Sequence, residues 1–271
     1  MDRRLRPLDQ FPAAERRAVV GVFTDIDETV SSDGRLTAEA YAALEALKAA
    51  GLLVVPVTGR PAGWCDHIAR FWPVDAVVGE NGAFWMWPDK SAGRLRTRFV
   101  QDEATRAEGR RRLEAVRADV AREVPGAGVA SDQPYRLADL AIDFREDVPP
   151  LSRADIDRIV AIFERHGAIA KVSSIHVNGW FGDYDKLTTT RLMMRETFGV
   201  DLDAERARYV FAGDSPNDAP MFGYFPNAVG VANLRDLADR TPALPRWITA
   251  ARSGAGFAEL VGALLAARGT G

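Results

Sequence analysis

Ala18–Val30 reads AVVGVFTDIDETV, and the reading of this stretch decides the fold. Ala18–Ile26 is a short, β-branched, apolar run without alternation. It is too short for a helix and suits a parallel strand buried on both faces. Asp25 and Asp27 follow at once, then Thr29. Carboxylates cost several kcal/mol to bury unpaired. Either they lie at a solvent-facing strand end, or something sits between them. Their two-residue spacing puts both side chains on the same side of an extended segment.

Outward from this run, SSDGR (Ser31–Arg35) reads as a polar turn-rich loop. Thr37 opens a helical pattern with Ala40, Leu44 and Leu47 on one side and Gly51 as C-cap. LLVVPVTGR (Leu52–Arg60) is a second buried strand, and Pro61 opens a helix to about Phe71. DAVVGENGA (Asp75–Ala83) is a third strand ending in a glycine turn. Strand, helix, strand, helix, strand predicts a parallel sheet with right-handed crossovers.

The rhythm changes after Ala83. FWMWPDKSAGRLRTRFV predicts a hairpin around Asp89–Gly93. A long arginine-rich helix follows, about Glu103 to Glu123, with Leu113, Val116 and Val120 inward. Then come a strand at Leu137–Arg145, a helix from about Ser152 to Arg165, and two short strands, AIAKVS and SIHVN. Ile156, Ile159, Val160 and Phe163 face inward from that second helix. The α/β rhythm resumes with a helix at Asp185–Gly199, strands at Tyr209–Asp214 and Asn227–Ala232, and an amphipathic C-terminal helix. The expected class is α/β: a Rossmann-like parallel-sheet core domain (1–88 and 181–271) with an inserted α+β cap domain (89–180).

The chain has 271 residues, 47% hydrophobic and 27% charged, ordinary for a soluble globular protein. Its net charge of -3 gives no case for a nucleic-acid or anionic-membrane partner. No stretch reaches the roughly 18–20 apolar residues of a membrane helix. The basic N-terminal stretch lacks an apolar segment before a small-residue cleavage site, so the expected location is cytoplasmic. Cys65 is the only cysteine and reads as a structural thiol, with a nucleophile as the weaker alternative. Nothing bears on oligomeric state.

In parallel α/β sheets, ligands bind beyond the carboxyl ends of the strands. Four such ends carry polar groups: Asp25/Asp27/Thr29, Thr58/Arg60, Glu80/Asn81 and Asp214/Asn217/Asp218. Asp and Asn after strands are also ordinary turn and cap residues. Four such sites in order are what make a shared function the better reading. Gathered carboxylates repel in a low dielectric, and a divalent cation removes the conflict. With no His/Cys cluster zinc is disfavoured, whereas an all-oxygen site suits Mg²⁺ with a substrate phosphate. A phosphate also accounts for Thr58 as a donor and for Lys186, where the helix after the insertion begins.

With these motifs the sequence resembles the haloacid-dehalogenase-like (HAD) superfamily of phosphohydrolases. DIDET (Asp25–Thr29), VTGR (Val57–Arg60), Lys186 and GDSPND (Gly213–Asp218) match its four motifs in order. The insertion between the second and third resembles the type IIB cap subclass, and GENGA (Gly79–Ala83) adds to the match. Within that subclass the pattern is similar to sugar-phosphate phosphatases, including those of sucrose phosphate and mannosyl-3-phosphoglycerate. The resemblance implies Asp25 as nucleophile, Asp27 as general acid and base, and Thr58 and Lys186 as catalytic partners. It implies Mg²⁺ held by Asp25, Asp27 and Asp214, with Asp218 a ligand or a holder of waters. Two departures are Glu28, where the family often has glycine, and Leu187 after the lysine.

Substrate contacts stay open at several positions. Arg60 either reaches a second anionic group or is a surface arginine. Asn81 and Gly82 either face the pocket or make a turn, and Glu80 either binds a sugar hydroxyl or caps a turn. His176 and Asn178, alternate residues of SIHVNGW, face the site if the cap closes; His176 is otherwise structural. Trp180 stacks on a sugar or packs the hinge. The helix arginines (Arg106, Arg110, Arg111, Arg112, Arg117, Arg122) read as a solvated face. The expected function is a Mg²⁺-dependent phosphatase of a small phosphorylated metabolite, a sugar phosphate or sugar phosphoglycerate, through an aspartyl-phosphate. Alternatives are a phosphomutase and a non-catalytic sugar-phosphate-binding protein.

Overall fold

The stretch quoted above forms the strand Gly21–Thr24, buried along its whole length. In the computed structural model, which describes residues 5–269, this strand lies within a six-stranded sheet. The order is Arg6–Pro7, Trp247–Ile248, Val229–Gly230, Tyr209–Gly213, Gly21–Thr24, Leu53–Pro56, and every pairing is parallel. Successive residues serve opposite faces. Val22, Val54 and Val210 pack with Leu44, Leu47 and Leu260 of the helices Ala38–Ala49 and Ser253–Ala266. Phe23, Val55 and Phe211 pack with Met193, Met194 and Met221 of the helices Lys186–Phe198 and Ala219–Tyr224. That two-sided burial is why the strands read as apolar runs rather than alternating ones.

The expected third strand, Val77–Gly79, flanks Leu53–Pro56 through a parallel bridge between Val57 and Val78. It also pairs antiparallel with the hairpin Phe84–Asp89 and Arg94–Phe99. The hairpin packs with the parallel-sheet unit: the buried Trp85 donates its indole N–H to Thr197 Oγ1 at 2.9 Å. The segment read as a loop, Ser31–Arg35, differs: Ser31–Ser32 and Arg35–Leu36 form a small antiparallel hairpin. Asp33 and Gly34 take φ of 48° and 71°, the Asp-Gly turn that matches strand twist. The edge strand Arg6–Pro7 and its neighbour Trp247–Ile248 span two residues each, too short for any hydrophobic pattern.

Residues after the hairpin form a second unit with its own core. A four-stranded antiparallel sheet has the order Ile169–Val172, His176–Trp180, Asp139–Asp143, Gly128–Val129. Helices Glu103–Glu123 and Arg153–Arg165 contribute Leu113, Val116, Val120, Ile159, Ile162 and Phe163 to its core. Ile156 and Val160, expected inside, are half-buried at its margin. Leu140, Ile142 and Val177 join that core. The alternate residues Asp139, His176 and Asn178 are also buried, on the other sheet face. Among the described residues, no helix is long and apolar enough to cross a membrane.

Candidate active site

Adjacent parallel strands end in adjacent carboxylates. Asp25 follows Gly21–Thr24, Asp214 follows Tyr209–Gly213, and Asp25 N donates to Ala212 O at 2.9 Å. Lys186 opens the helix Lys186–Phe198, whose start is held by a capping box between Asp185 and Thr188. That box forms with Leu187 in second place, so the departure noted there leaves the helix start regular. Lys186 Nζ donates to Asp25 Oδ1 and to Asp218 Oδ1, each at 2.8 Å. Asp218 Oδ2 accepts from the backbone N–H of Asp214 and Ser215 at 3.1 and 3.3 Å. Thr29 Oγ1 and Asn233 Nδ2 donate to Asp214 at 3.4 and 3.2 Å.

Asp25, Asp214 and Asp218 each offer an oxygen within 4.8 Å of the others, and all three are buried. One ammonium, bonded to Asp25 and Asp218, stands among three carboxylates. Burial pushes the Asp25 pKa up to about 7; the Lys186 charge pulls against it, while Asp218 and Asp27 push further. Burial, then the Asp25 and Asp218 charges, hold Asp214 well above the carboxylate range. Burial works to lower the Lys186 pKa, but the flanking Asp218 and Asp25 charges outweigh it and push it up. A buried all-oxygen group with this surplus of negative charge fits a hard divalent cation such as Mg²⁺.

Asp27 lies in a different network. It accepts from Arg60 Nε at 2.9 and 3.1 Å and lies 2.8 Å from Nη2. Arg60 is buried, not on the surface, and its guanidinium sits 4.4 Å from the Trp64 ring centroid. Its Nη2 reaches Glu146 at 3.1 Å, and its Nη1 reaches Asp132 at 3.5 Å. His176 Nε2 stands 2.9 Å from Glu146 Oε2. The His176 imidazole at this distance, with the Arg60 charge, holds the Glu146 pKa down to about 2 against partial burial. Asn178 Nδ2 donates to Asp139 Oδ2 at 3.2 Å.

A narrow cleft opens between Asp25, Asp27 and Arg60 on one side and His176, Asn178 and Arg136 on the other. Thr58 lies just behind it, fully buried, its Oγ1 accepting from Arg60 N at 3.0 Å. Asn81 and Gly82 form the turn after Val77–Gly79 rather than a cleft wall. The Asn81 side chain packs against Gly59, and its Nδ2 has no hydrogen-bond partner. Gly82 has φ +111°, and a Cβ there would fall 2.3 Å from Asp185 O. Glu28 takes φ +55°, which glycine adopts freely, so the departure from glycine puts a left-handed side-chain residue there. Trp180 is buried and stacks on Tyr184 at 5.7 Å, away from the cleft lining. Residues that the sequence reading missed are Glu146, Asp132, Arg136 and Asn233. None lies in a motif, and only the folded sheet brings them here.

Residues 22–105 match the family model described as haloacid dehalogenase-like hydrolase. No curated protein matches the sequence. Among solved structures, the fold is similar to the sucrose-phosphatase of Synechocystis sp. PCC6803 in complex with sucrose and phosphate. That match has TM-score 0.63 and 15% identity, covering 92% of this chain and 98% of the other. It is also similar to the C-terminal domain of the C. albicans trehalose-6-phosphate phosphatase, with TM-score 0.71 and 11% identity over 98% and 99% of the two chains. A HAD subclass IIB sugar phosphatase matches with TM-score 0.59 and 14% identity over 84% and 92%.

Proposed function

We propose that the chain is a haloacid dehalogenase-like hydrolase, whose family model residues 22–105 match, and that it acts as a Mg²⁺-dependent phosphatase of a small phosphorylated metabolite. The observation that carries the reading is Asp25 held against Lys186, with Asp214 and Asp218 beside it, at the carboxyl ends of two adjacent parallel strands. One Asp25 oxygen is tied to the ammonium, which sets the direction of the carboxylate. Its attack on phosphorus forms an aspartyl-phosphate while the bond to the leaving oxygen breaks. Asp27 supplies the proton to that oxygen. It then takes one from the water that attacks the aspartyl-phosphate, releasing inorganic phosphate and restoring Asp25. Lys186 offsets the charge gathered on Asp25, Asp218 and the phosphoryl oxygens. Bound by Asp25, Asp214 and Asp218, Mg²⁺ would supply charge neutralisation for the phosphoryl oxygens.

We assign the second unit as a cap that selects the leaving group. His176 and Asn178 are, with Arg136, among its contributions to the cleft, with Arg60 opposite them. Most residues lining the cleft carry charged or hydrogen-bonding side chains, which suits a hydroxyl-rich alcohol, so the proposed substrate class is a sugar phosphate or sugar phosphoglycerate. The test is release of inorganic phosphate from a panel of phosphate esters with Mg²⁺. Asp25→Asn is expected to lose at least about a thousandfold in kcat, the scale of losing a nucleophile. Equal inertness of the wild type and Asp25→Asn across the panel overturns the reading in favour of a binding protein.

A further inference from the structure

Glu80 is fully buried, and its carboxylate spans the two units. On the parallel-sheet side, Oε1 accepts from the N–H of Ala62, first residue of the helix Ala62–Phe71, at 3.0 Å. On the other side it accepts from Leu137 N at 2.9 and 3.1 Å, Ala138 N at 2.6 Å and Asp139 N at 3.2 Å. Four backbone donors around one carboxylate make an anion nest filled by a side chain of the same protein. A charge this buried is tolerated only when its oxygens are satisfied in this way.

The backbone is bent to deliver it. Glu80 and Asn81 have φ of 44° and 55°, followed by Gly82 at 111°. Non-glycine residues hold such angles only where their surroundings over-determine them. Here Glu80 N donates to Arg60 O at 3.1 Å and Asn81 N to Thr58 O at 3.0 Å. The same turn is therefore tied to the loop carrying Thr58 and Arg60. A second bond crosses beside it, from Arg136 Nη1 to Gly59 O at 2.9 Å. Beyond the nest, Asp139–Asp143 pairs with His176–Trp180, and Asp139 accepts from Asn178.

We propose that Glu80 is a positioning residue: its carboxylate is the peg that sets the cap in register over Asp25, placing Asn178 and His176 against the leaving group. The kinetic consequence rests on the phosphatase reading, whereas the anchoring itself does not. The test uses the full chain as wild type, Glu80→Gln and Glu80→Asp. Glutamine puts an NH₂ against N–H donors, whereas aspartate keeps both acceptor oxygens on a shorter stem.

Hydrogen exchange is read at the amides of Leu137–Asp139. In Glu80→Gln it rises at least about tenfold there and stays within about twofold in the strand Tyr209–Gly213. Hydrolysis is read for the hexose phosphate that the wild type cleaves best and for acetyl phosphate, whose leaving group is too small to need the cap. For the hexose phosphate, kcat/KM falls at least about tenfold with KM raised, and acetyl phosphate changes less than about threefold. Glu80→Asp recovers part of both losses. Unchanged exchange at Leu137–Asp139, equal falls for the two esters, or no recovery in aspartate overturns the proposal. Should Glu80→Gln not fold, Glu80→Asp against wild type carries the same test: a greater fall for hexose phosphate supports it and equal falls overturn it. If the wild type cleaves neither ester, the phosphatase reading fails, and the exchange result still decides the anchor.

Discussion

Lys186 is the one cation touching the Asp25–Asp218 pair among the described residues, so its removal is a sharp probe of the site. Truncating one partner of a buried ionic group typically costs about 3–5 kcal/mol, because the remaining charges stay buried and unpaired. Lys186→Met is therefore expected to lose stability on that scale in metal-free urea unfolding, with part of the loss recovered in excess MgCl₂. A metal-free midpoint equal to the wild type's would show that Lys186 is not what neutralises the cluster. Asp25, Asp214, Asp218 and Lys186 were legible as a set because each follows or opens an element with a readable hydrophobic pattern. Arg60 was legible as a residue but not in its role. Its burial depends on Asp27, Asp132 and Glu146, which come from three separate segments.

At the scale of elements, the turn Glu80–Gly82 and the helix Lys186–Phe198 support one another. Thr189 Oγ1 donates to Gly82 O at 2.6 Å, and Gly82 packs on the Asp185 backbone. Gly82→Ala forces a Cβ to 2.3 Å from Asp185 O at a φ of +111°. Overpacking and a forbidden backbone each cost about 1–3 kcal/mol, so the expected loss is about 3 kcal/mol or more by denaturant unfolding. Asp185→Ala, which removes the N-cap, is expected to cost only about 1 kcal/mol. A Gly82→Ala loss no larger than that of Asp185→Ala would mean that the turn yields easily. The elements themselves were largely readable from sequence. The helices Glu103–Glu123 and Ala62–Phe71 fall where apolar spacing and the opening proline put them. The hairpin at Ser31–Leu36 was missed because its strands are two residues each, below the length at which alternation is visible.

For the whole molecule, the buried carboxylates make stability depend on pH and metal together. The pKa values of Asp25 and Glu80, each pushed to about 7, lie above those of the unfolded chain. Burial is the first cause for both, and for Asp214, which is raised as well. A carboxyl raised on folding favours the folded state fully below its unfolded pKa, about 4, and that contribution is lost as pH climbs through the folded value. Metal-free protein is thus expected to melt at a lower temperature at about pH 8 than at about pH 5. Mg²⁺ is expected to raise the midpoint more at the higher pH, where the ligands are ionised. Thermal melts at both pH values, with and without MgCl₂, check this. A metal-free midpoint that climbs with pH, or a Mg²⁺ effect equal at both, contradicts it.

The sequence by itself determined the parallel-sheet core, the interrupting α+β unit and the carboxylates at the strand ends. Those follow from local facts: a buried strand needs an apolar run, and a strand end in such a sheet lies where ligands bind. Only the tertiary structure decided which polar groups meet across long separations in sequence. Glu80 finds Leu137 at a separation of 57 residues, Arg60 finds Glu146 at 86, and Asn233 finds Glu28 at 205. No local pattern encodes those encounters, because each buried polar group takes whatever partner the packed units bring within hydrogen-bond reach.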